Sequence, residues 1–412
     1  MRLRVRRRGK VALVLLGLLL VSQAPFAWRR YQLGRLRAAV GELNATRAPA
    51  AAGDAFRDYA GVFHVHSALG GHSEGRPEEI VSAAVENGLA FVVMTEHPSG
   101  EVNTAEATLR GEHGGVIFLN GSELVAEGGA RLFVVPGFDS PAPAADRLEL
   151  SELIARAKAG GRLAILAYPE ELREWPAGGF DGVEVYNLYT NTKRINYARL
   201  LFDSLWSYAS HPDLLFATFY ERPGENLRRW DEFNSRGRAR ASMVAGNDAH
   251  ANVGFKLDWP WGGPALSLKL DPYERSFRVV RQHVLLRSGE ELNAETLVAA
   301  LAGGRGYVAF DLFGDSGGFR FQAESGAGTR TMGEEVSLKA GGPVRLHARA
   351  PVEGRLLFFR DGEPFAEERG VRQKELPVSR PGAYRVEVYL DRLGPLLADK
   401  PWIISNPIYV TE

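Results

Sequence analysis

Short apolar runs alternate with amphipathic stretches through the middle of the chain. The runs are Gly61–Phe63, Phe91–Met94, Val116–Leu119, Arg131–Val135, Leu163–Ala167, Val183–Tyr186, Leu214–Phe219 and Ser242–Ala245. Each has strand length and is bounded by turn-forming or polar residues. Between the early runs, Pro77–Asn87 predicts a helix, with Pro77 at its start, Glu78 and Glu79 in its first turn and Gly88 after its end. Asn103–Glu112, Ser151–Ala159, Ile195–Tyr208, Asn226–Ser235 and Glu295–Leu301 predict further helices. This alternation predicts an α/β domain on a parallel sheet. Polar residues such as His97, Glu123 and Asp248 fall at the C-terminal ends of several different strands. That favours a β/α barrel over an open doubly wound sheet, which gathers its ligands at one switch point.

From about Phe319 the pattern changes. Phe319–Phe321, Val344–Arg349, Leu356–Phe359 and Tyr384–Tyr389 alternate or run apolar between Gly and Pro turns, and Trp402–Val410 closes the series. This predicts a small antiparallel β-sandwich over residues 319–412. At the other end, Arg2, Arg4, Arg6, Arg7, Arg8 and Lys10 precede the unbroken apolar stretch Val11–Val21. That composition predicts a signal anchor or signal peptide over residues 1–30, with the uncleaved anchor preferred because no small-x-small cleavage site is evident. The basic flank places the start in the cytoplasm and the remainder outside it. Leu33, Leu36, Val40 and Leu43 then predict a stalk or short helix within residues 31–56, leaving 57–318 as the barrel.

Composition narrows the function. The 412 residues carry 50 basic and 50 acidic side chains, a formal net charge of zero, with no cysteine. Disulfides and a thiolate nucleophile are excluded. The balance argues against a nucleic-acid partner, which needs concentrated Lys and Arg. Nothing matches a Gly-rich nucleotide cradle: Gly262-Gly263 and Gly303-Gly304 lack the Lys or strand context.

Histidine supplies the chemistry. His64 and His66 are two apart on a strand, so both imidazoles can face one centre. Gly70, Gly71 and Gly75 let the loop return His72 toward them, and Glu96-His97 ends the next strand. Neutral imidazole is a good ligand for divalent transition metals.

These motifs arrive in order: H-x-H at 64–66, T-E-H at 95–97, G-S-E at 121–123, D-G-V-E-V-Y-N at 181–187 and G-N-D-A-H at 246–250. Together they resemble the polymerase and histidinol phosphatase (PHP) superfamily of metal-dependent hydrolases across roughly 60–320. The resemblance implies a distorted seven-stranded β/α barrel. It implies one metal on His64, His66, Glu123 and Asp248, and another on His72, His97 and His250. Three-metal members add two more histidines. One is expected shortly after Glu123, where the chain reads V-A-E-G-G-A-R-L, and one in an A-H-P motif, here Ala167-Tyr168-Pro169. One or two divalent transition metals (Zn, Mn or Fe) are therefore expected, with the middle site empty or absent.

As a hydrolase the chain acts on a small, anionic molecule. Phosphoester hydrolysis is the leading expectation. A carbamate, ester or amide is the alternative, because T-E-H, A-Y-P and a terminal sandwich resemble a subgroup that includes a carbamate hydrolase. A non-catalytic protein with a vestigial metal site is a third reading. The candidate catalytic groups are Tyr168, as a hydrogen-bond donor in the pocket, and Arg194 and Arg222, each just beyond a strand, to neutralise charge on the transferring group. Surface ion pairing is the alternative for both arginines. Glu184 and Asn187 either orient ligand histidines or line the rim. Glu96 either bonds an imidazole, contacts a metal or is a loop carboxylate. The Trp259–Gly262 loop either walls the pocket or seats on the sandwich.

Overall fold

The computed structural model describes residues 2–49, 54–100, 102–139, 145–193, 197–237, 239–252, 254–259, 261 and 263–412. The first strand organises the sheet. β1 (Phe56–Val65) pairs antiparallel through Phe56–Gly61 with β9 (Arg281–Arg287), and its second half runs parallel between β2 (Phe91–Met94) and β8 (Ser242–Ala249). From β8 the ladders continue to β7 (Gly182–Asn187), β6 (Leu163–Ala167), β5 (Arg131–Val135) and β4 (Ser122–Val125). β3 (Val116–Leu119) lies on the far side of β2. A single bridge, Glu96 to Ser122, links the end of β2 to β4. The sheet is mixed: β5 is antiparallel to both neighbours. The all-parallel expectation fails there because β4 and β5 form a hairpin with no intervening helix.

Helices cover the outside. α2 (Pro77–Glu86) begins with Pro77 and is tied at its start by Glu79 accepting from the Arg76 N–H. α3 (Leu150–Ala159), α4 (Tyr197–Ser207), α5 (Gly224–Ser235), α6 (Tyr273–Val279) and α7 (Ala294–Ala302) follow. Phe91–Met94 and Leu163–Ala167 are buried throughout, as parallel-type strands covered on both faces are. Two expected elements differ. Leu214–Phe219 is a 3-10 helix over Asp213–Thr218, a buried apolar run whose periodicity could not separate strand from helix. Asn103–Glu112 keeps only one helical turn, Thr104–Ala107, before a short strand Gly111–His113. Thr108 ends that turn with its hydroxyl donating to Glu96.

α1 spans Arg2–Ala45 as one helix that is long and apolar enough to cross a membrane, with Val11–Val21 exposed. Its second half is no free stalk. Leu33, Leu36 and Leu43 are buried in the main core. Phe26 meets Phe202 of α4 with ring centroids 5.1 Å apart, and Trp206 donates to Gln23.

The C-terminal strands cluster around Val344–Arg360, which pairs with Arg320–Ser325, Glu363–Val378 and Gly382–Tyr389. They are continuous with the first sheet, because β10 (Gly306–Ala309) pairs with both β9 and Pro401–Ser405. Side chains rivet the same seam. Arg385 bonds both carboxylate oxygens of Asp231 on α5, at 2.8 and 2.7 Å.

A second clasp surrounds His283 of β9. Its Nδ1 lies 2.8 Å from Asp58 Oδ1 and its Nε2 3.2 Å from Asp311 Oδ2, with Tyr307 stacked on the ring. Burial disfavours the imidazolium, but the two carboxylates outweigh it and lift His283 to about 10. An unfolded histidine titrates near about 6.5, so this contribution is complete below that pH and is lost as pH rises through about 10. Burial likewise opposes the charged forms of Asp58 and Asp311, and His283 overcomes it, holding both below their usual range. Their contribution is present above the unfolded value near about 3.9 and is lost in acid. The urea midpoint is therefore expected to peak between about pH 5 and 6.5 and to fall toward pH 10. His283→Gln should cost about 2 kcal/mol near pH 6 and flatten the alkaline fall. A variant that keeps the wild-type pH profile would remove His283 from this role.

Candidate metal centre

Three residues at the strand ends stand on backbone that side-chain-bearing residues rarely adopt. φ is 67° at His64, 45° at Tyr168 and 47° at Asp248. His64 coincides with a register shift between Phe63 and Val65 in the ladders to both β2 and β8. Such conformations cost on the order of 1–3 kcal/mol each and persist only where the surroundings hold them. His64 and His66 do converge, but through this bulge rather than by simple alternation along a strand.

Glu123, in β4, is the hub. Its Oε2 lies 3.1 Å from His64 Nε2, 3.4 Å from His66 Nε2 and 3.8 Å from His97 Nε2. Asp248 Oδ1 lies 3.3 Å from His64 Nε2, 3.6 Å from His66 Nε2 and 3.2 Å from His250 Nδ1. The His66 ring is stacked between His97 and His250, with centroids at 4.6 and 4.3 Å.

A second ring of groups ties the opposite atoms of His64, Glu123 and Asp248. Glu184 Oε1 sits 2.6 Å from His64 Nδ1. Arg131 donates to Glu123 Oε1 at 3.1 Å and lies 4.5 Å above the Tyr168 ring. Tyr168 donates to Asp248 Oδ2 at 2.6 Å, and Asn187 donates to the same oxygen at 3.2 Å. The outward atoms of His64, Glu123 and Asp248 are thus held; of the inward ones, Asp248 Oδ1 makes no hydrogen bond, while His64 Nε2 and Glu123 Oε2 bond each other at 3.1 Å.

The electrostatics agree. Burial lowers His66 and His97 to about 4, with neighbouring imidazoles adding to the effect on each, so both are neutral near pH 7. Burial raises Glu184 to about 7, and Asp248 and Glu123 add to that against the opposing pull of His64. Burial opposes a charge on His64 too, yet Asp248 and Glu184 overcome it and hold its proton. A cation facing Nε2 would take that proton's place and leave Nδ1–H donating to Glu184.

These residues fit a divalent metal. His66 Nδ1, His66 Nε2 and Asp248 Oδ1 are buried and make no hydrogen bond. Buried groups left so are few in native proteins and call for a partner. Imidazole nitrogens with carboxylate oxygens suit Zn, Mn or Fe. Among the described residues two clusters have ligand atoms within 4.8 Å of one another: His64, His66 and Glu123, and His66, His97 and His250.

The grouping differs from the expected one, because His66 is common to both clusters. His72 is outside both and exposed, its ring meeting His97 edge-on at 4.8 Å. Arg194 lies outside the described residues. Arg222 is committed elsewhere: its guanidinium bonds both oxygens of the buried Glu387 in the C-terminal strands, so the proposed charge-neutralising role is corrected to one at the seam. Glu96 is buried and accepts from the Ser67 N–H and hydroxyl and from Thr108, fixing the loop after His66 without touching an imidazole. Trp259 and Trp261 stack on each other in the open, at 50% and 78% exposure, and neither is buried against the centre or the C-terminal strands. Arg131 was not among the expected residues. Among the described residues, its guanidinium is the one that bonds Glu123.

No family model matches the sequence, and no curated protein matches it. Several solved structures overlap it distantly, two of which serve as examples. One is a two-domain protein of Bacteroides vulgatus ATCC 8482 containing a predicted PHP-like metal-dependent phosphoesterase. It is 14% identical, covers 88% of this chain and 98% of its own, and has a TM-score of 0.40. The other is PsfC from Pseudomonas syringae PB-5123, 12% identical over 59% of this chain and 89% of its own, with a TM-score of 0.32. Overlap at such scores assigns neither fold nor function.

Proposed function

We propose that this chain is a PHP-type metal-dependent hydrolase of small anionic esters, phosphoesters first, built on a distorted seven-stranded barrel. The observation that carries the reading is the division of the ligands: His64, Glu123 and Asp248 each have one atom tied outward, by Glu184, Arg131 and Tyr168, and one turned inward toward unpartnered His66. His64, His66, Glu123 and Asp248, with His97 and His250 beside them, would hold the metal. When bound, such an ion supplies Lewis acidity, lowering the pKa of water and offsetting negative charge on the group under attack. The protein does the rest by position. Glu184 fixes the His64 tautomer, and Arg131 adds a fixed positive charge behind Glu123. The Tyr168 hydroxyl, kept protonated by burial and by Asp248, donates and does not ionise.

The test is a substrate screen with metal-stripped protein resupplied with Mn, Zn or Fe. Phosphomonoesters and phosphodiesters are expected to turn over only with metal, and His66→Ala to abolish it. Turnover of carbamates or carboxyl esters alone would replace the substrate class. Inactivity on every class would move the chain to the non-catalytic reading.

We also propose that α1 anchors the protein in a membrane with the centre outside the cytoplasm, supported by the exposed Val11–Val21 face and the basic residues before it. Protease added to intact spheroplasts is then expected to digest the body of the protein. Protection until the membrane is broken would reverse the orientation.

A further inference from the structure

Beside the centre lies a cavity of about 80 Å³ whose walls are almost wholly apolar. Leu200 and Tyr208 line it together with Leu215, Phe216 and Phe219 and with Asn247–Ala249. Asp248 thus belongs to both sites, and Tyr189, also in the wall, packs against His250 with ring centroids 6.2 Å apart. Two polar atoms in the wall make no hydrogen bond although their side chains are buried: Ser204 Oγ and Asn247 Oδ1. A hydrolytic centre with an apolar recess opening off one of its ligand residues has a place for a part of the substrate that does not react.

We infer that this recess seats the apolar substituent of the ester whose anionic end lies at the metal centre, an inference that rests on the hydrolase reading. The volume sets the kind of substituent. It is smaller than the engineered cavity of about 150 Å³ that admits benzene, so a short alkyl chain fits and a fused ring system does not. The recess also has a position relative to α1. α4 supplies Leu200 and Ser204 to the cavity, while Phe202 and Asp203 on the same helix bind Phe26 and Arg29 of α1. One helix, α4, thus serves both the recess and the contact with α1.

The experiment uses the full chain in nanodiscs, with binding rather than turnover as the readout. Manganese-loaded protein is titrated with alkylphosphonates from methyl to octyl. Affinity should rise about fourfold for each methylene, the equivalent of about 0.8 kcal/mol, and level off by about butyl. Ser204→Phe, which fills the recess, should leave methylphosphonate binding unchanged and erase the increments. Leu200→Gln, a milder change at a partly buried lining position, should reduce them. A parallel series of neutral n-alkanols, read by thermal shift, needs no metal centre. Alkanols should stabilise the wild type with increasing length, and Ser204→Phe should not respond. Equal affinity for methyl and hexyl phosphonate, or increments that survive in Ser204→Phe, would overturn the inference. If alkanols bind and no phosphonate does, the recess stands and the anionic-ester reading falls. If neither series binds, both fall. Comparing free hexylphosphonate with a dialkyl phosphate resident in the nanodisc identifies the source: preference for either, lost in Ser204→Phe, supports the recess, and a preference that Ser204→Phe leaves intact counts against it.

Discussion

Protein purified without chelator is expected to carry one or two divalent transition-metal ions, and His66→Ala is expected to lose them. His66 is the residue shared by both ligand clusters, and both of its ring nitrogens are buried without a hydrogen bond. Burial keeps it neutral, so near pH 7 no proton has to be displaced before it can bind. Removing an outer partner of a metal ligand typically weakens binding by about 10–100-fold. Removing a ligand common to both clusters should cost more, at least about a hundredfold in a chelator competition, with activity falling in parallel. His72→Ala is the informative comparison: exposed and outside both clusters, it should change affinity little. Wild-type protein with no metal, or reproducibly with three, would contradict the assignment. So would a His66→Ala variant that retains full content.

The candidate ligands stood out in the sequence because metal chemistry restricts such groups to a few residue types, here at strand ends. His64, His66, His97, Glu123, Asp248 and His250 are brought together as that logic requires. Glu184, Asn187 and Tyr168 were readable as candidate partners, and they do bond His64 and Asp248; the partner of Glu123 could not be read. Arg131 reaches Glu123 only because β4 and β5 form a hairpin in which Glu123 faces Phe133 and Val125 faces Arg131. In that register Arg131 is the diagonal neighbour of Glu123. A basic residue opening an apolar strand was visible; the register was not. Arg222 failed in the opposite way. Its place beyond an expected strand suggested the rim, but that strand is a 3-10 helix and a carboxylate from the distant Gly382–Tyr389 strand claims the guanidinium. The helical pattern of Leu33, Leu36 and Leu43 was legible too, while the surface that buries them depended on packing that no local pattern encodes.

Tyr168→Phe separates a working centre from a relic. The resemblance placed an imidazole at this position, and the structure gives its actual occupant a defined contact: the hydroxyl donates to Asp248 Oδ2 at 2.6 Å while Asp248 Oδ1 is left inward. Without the hydroxyl, Oδ2 keeps only Asn187, at 3.2 Å. The carboxylate is then free to rotate, and both its oxygens compete for the same partners. If the centre is catalytic, that loss of orientation should lower kcat by roughly a hundredfold, within the tenfold to thousandfold span of a positioned donor. Metal content should change little, because His64, His66 and Glu123 are untouched and phenylalanine preserves the ring volume. The lost bond to a charged acceptor should also cost stability, about 2 kcal/mol. Metal analysis and turnover must therefore be measured on the same preparation, at a temperature where both proteins are folded. A metal-loaded variant as active as wild type would remove Tyr168 from the chemistry. Loss of metal and activity together would make it a support for Asp248 as a ligand and no more.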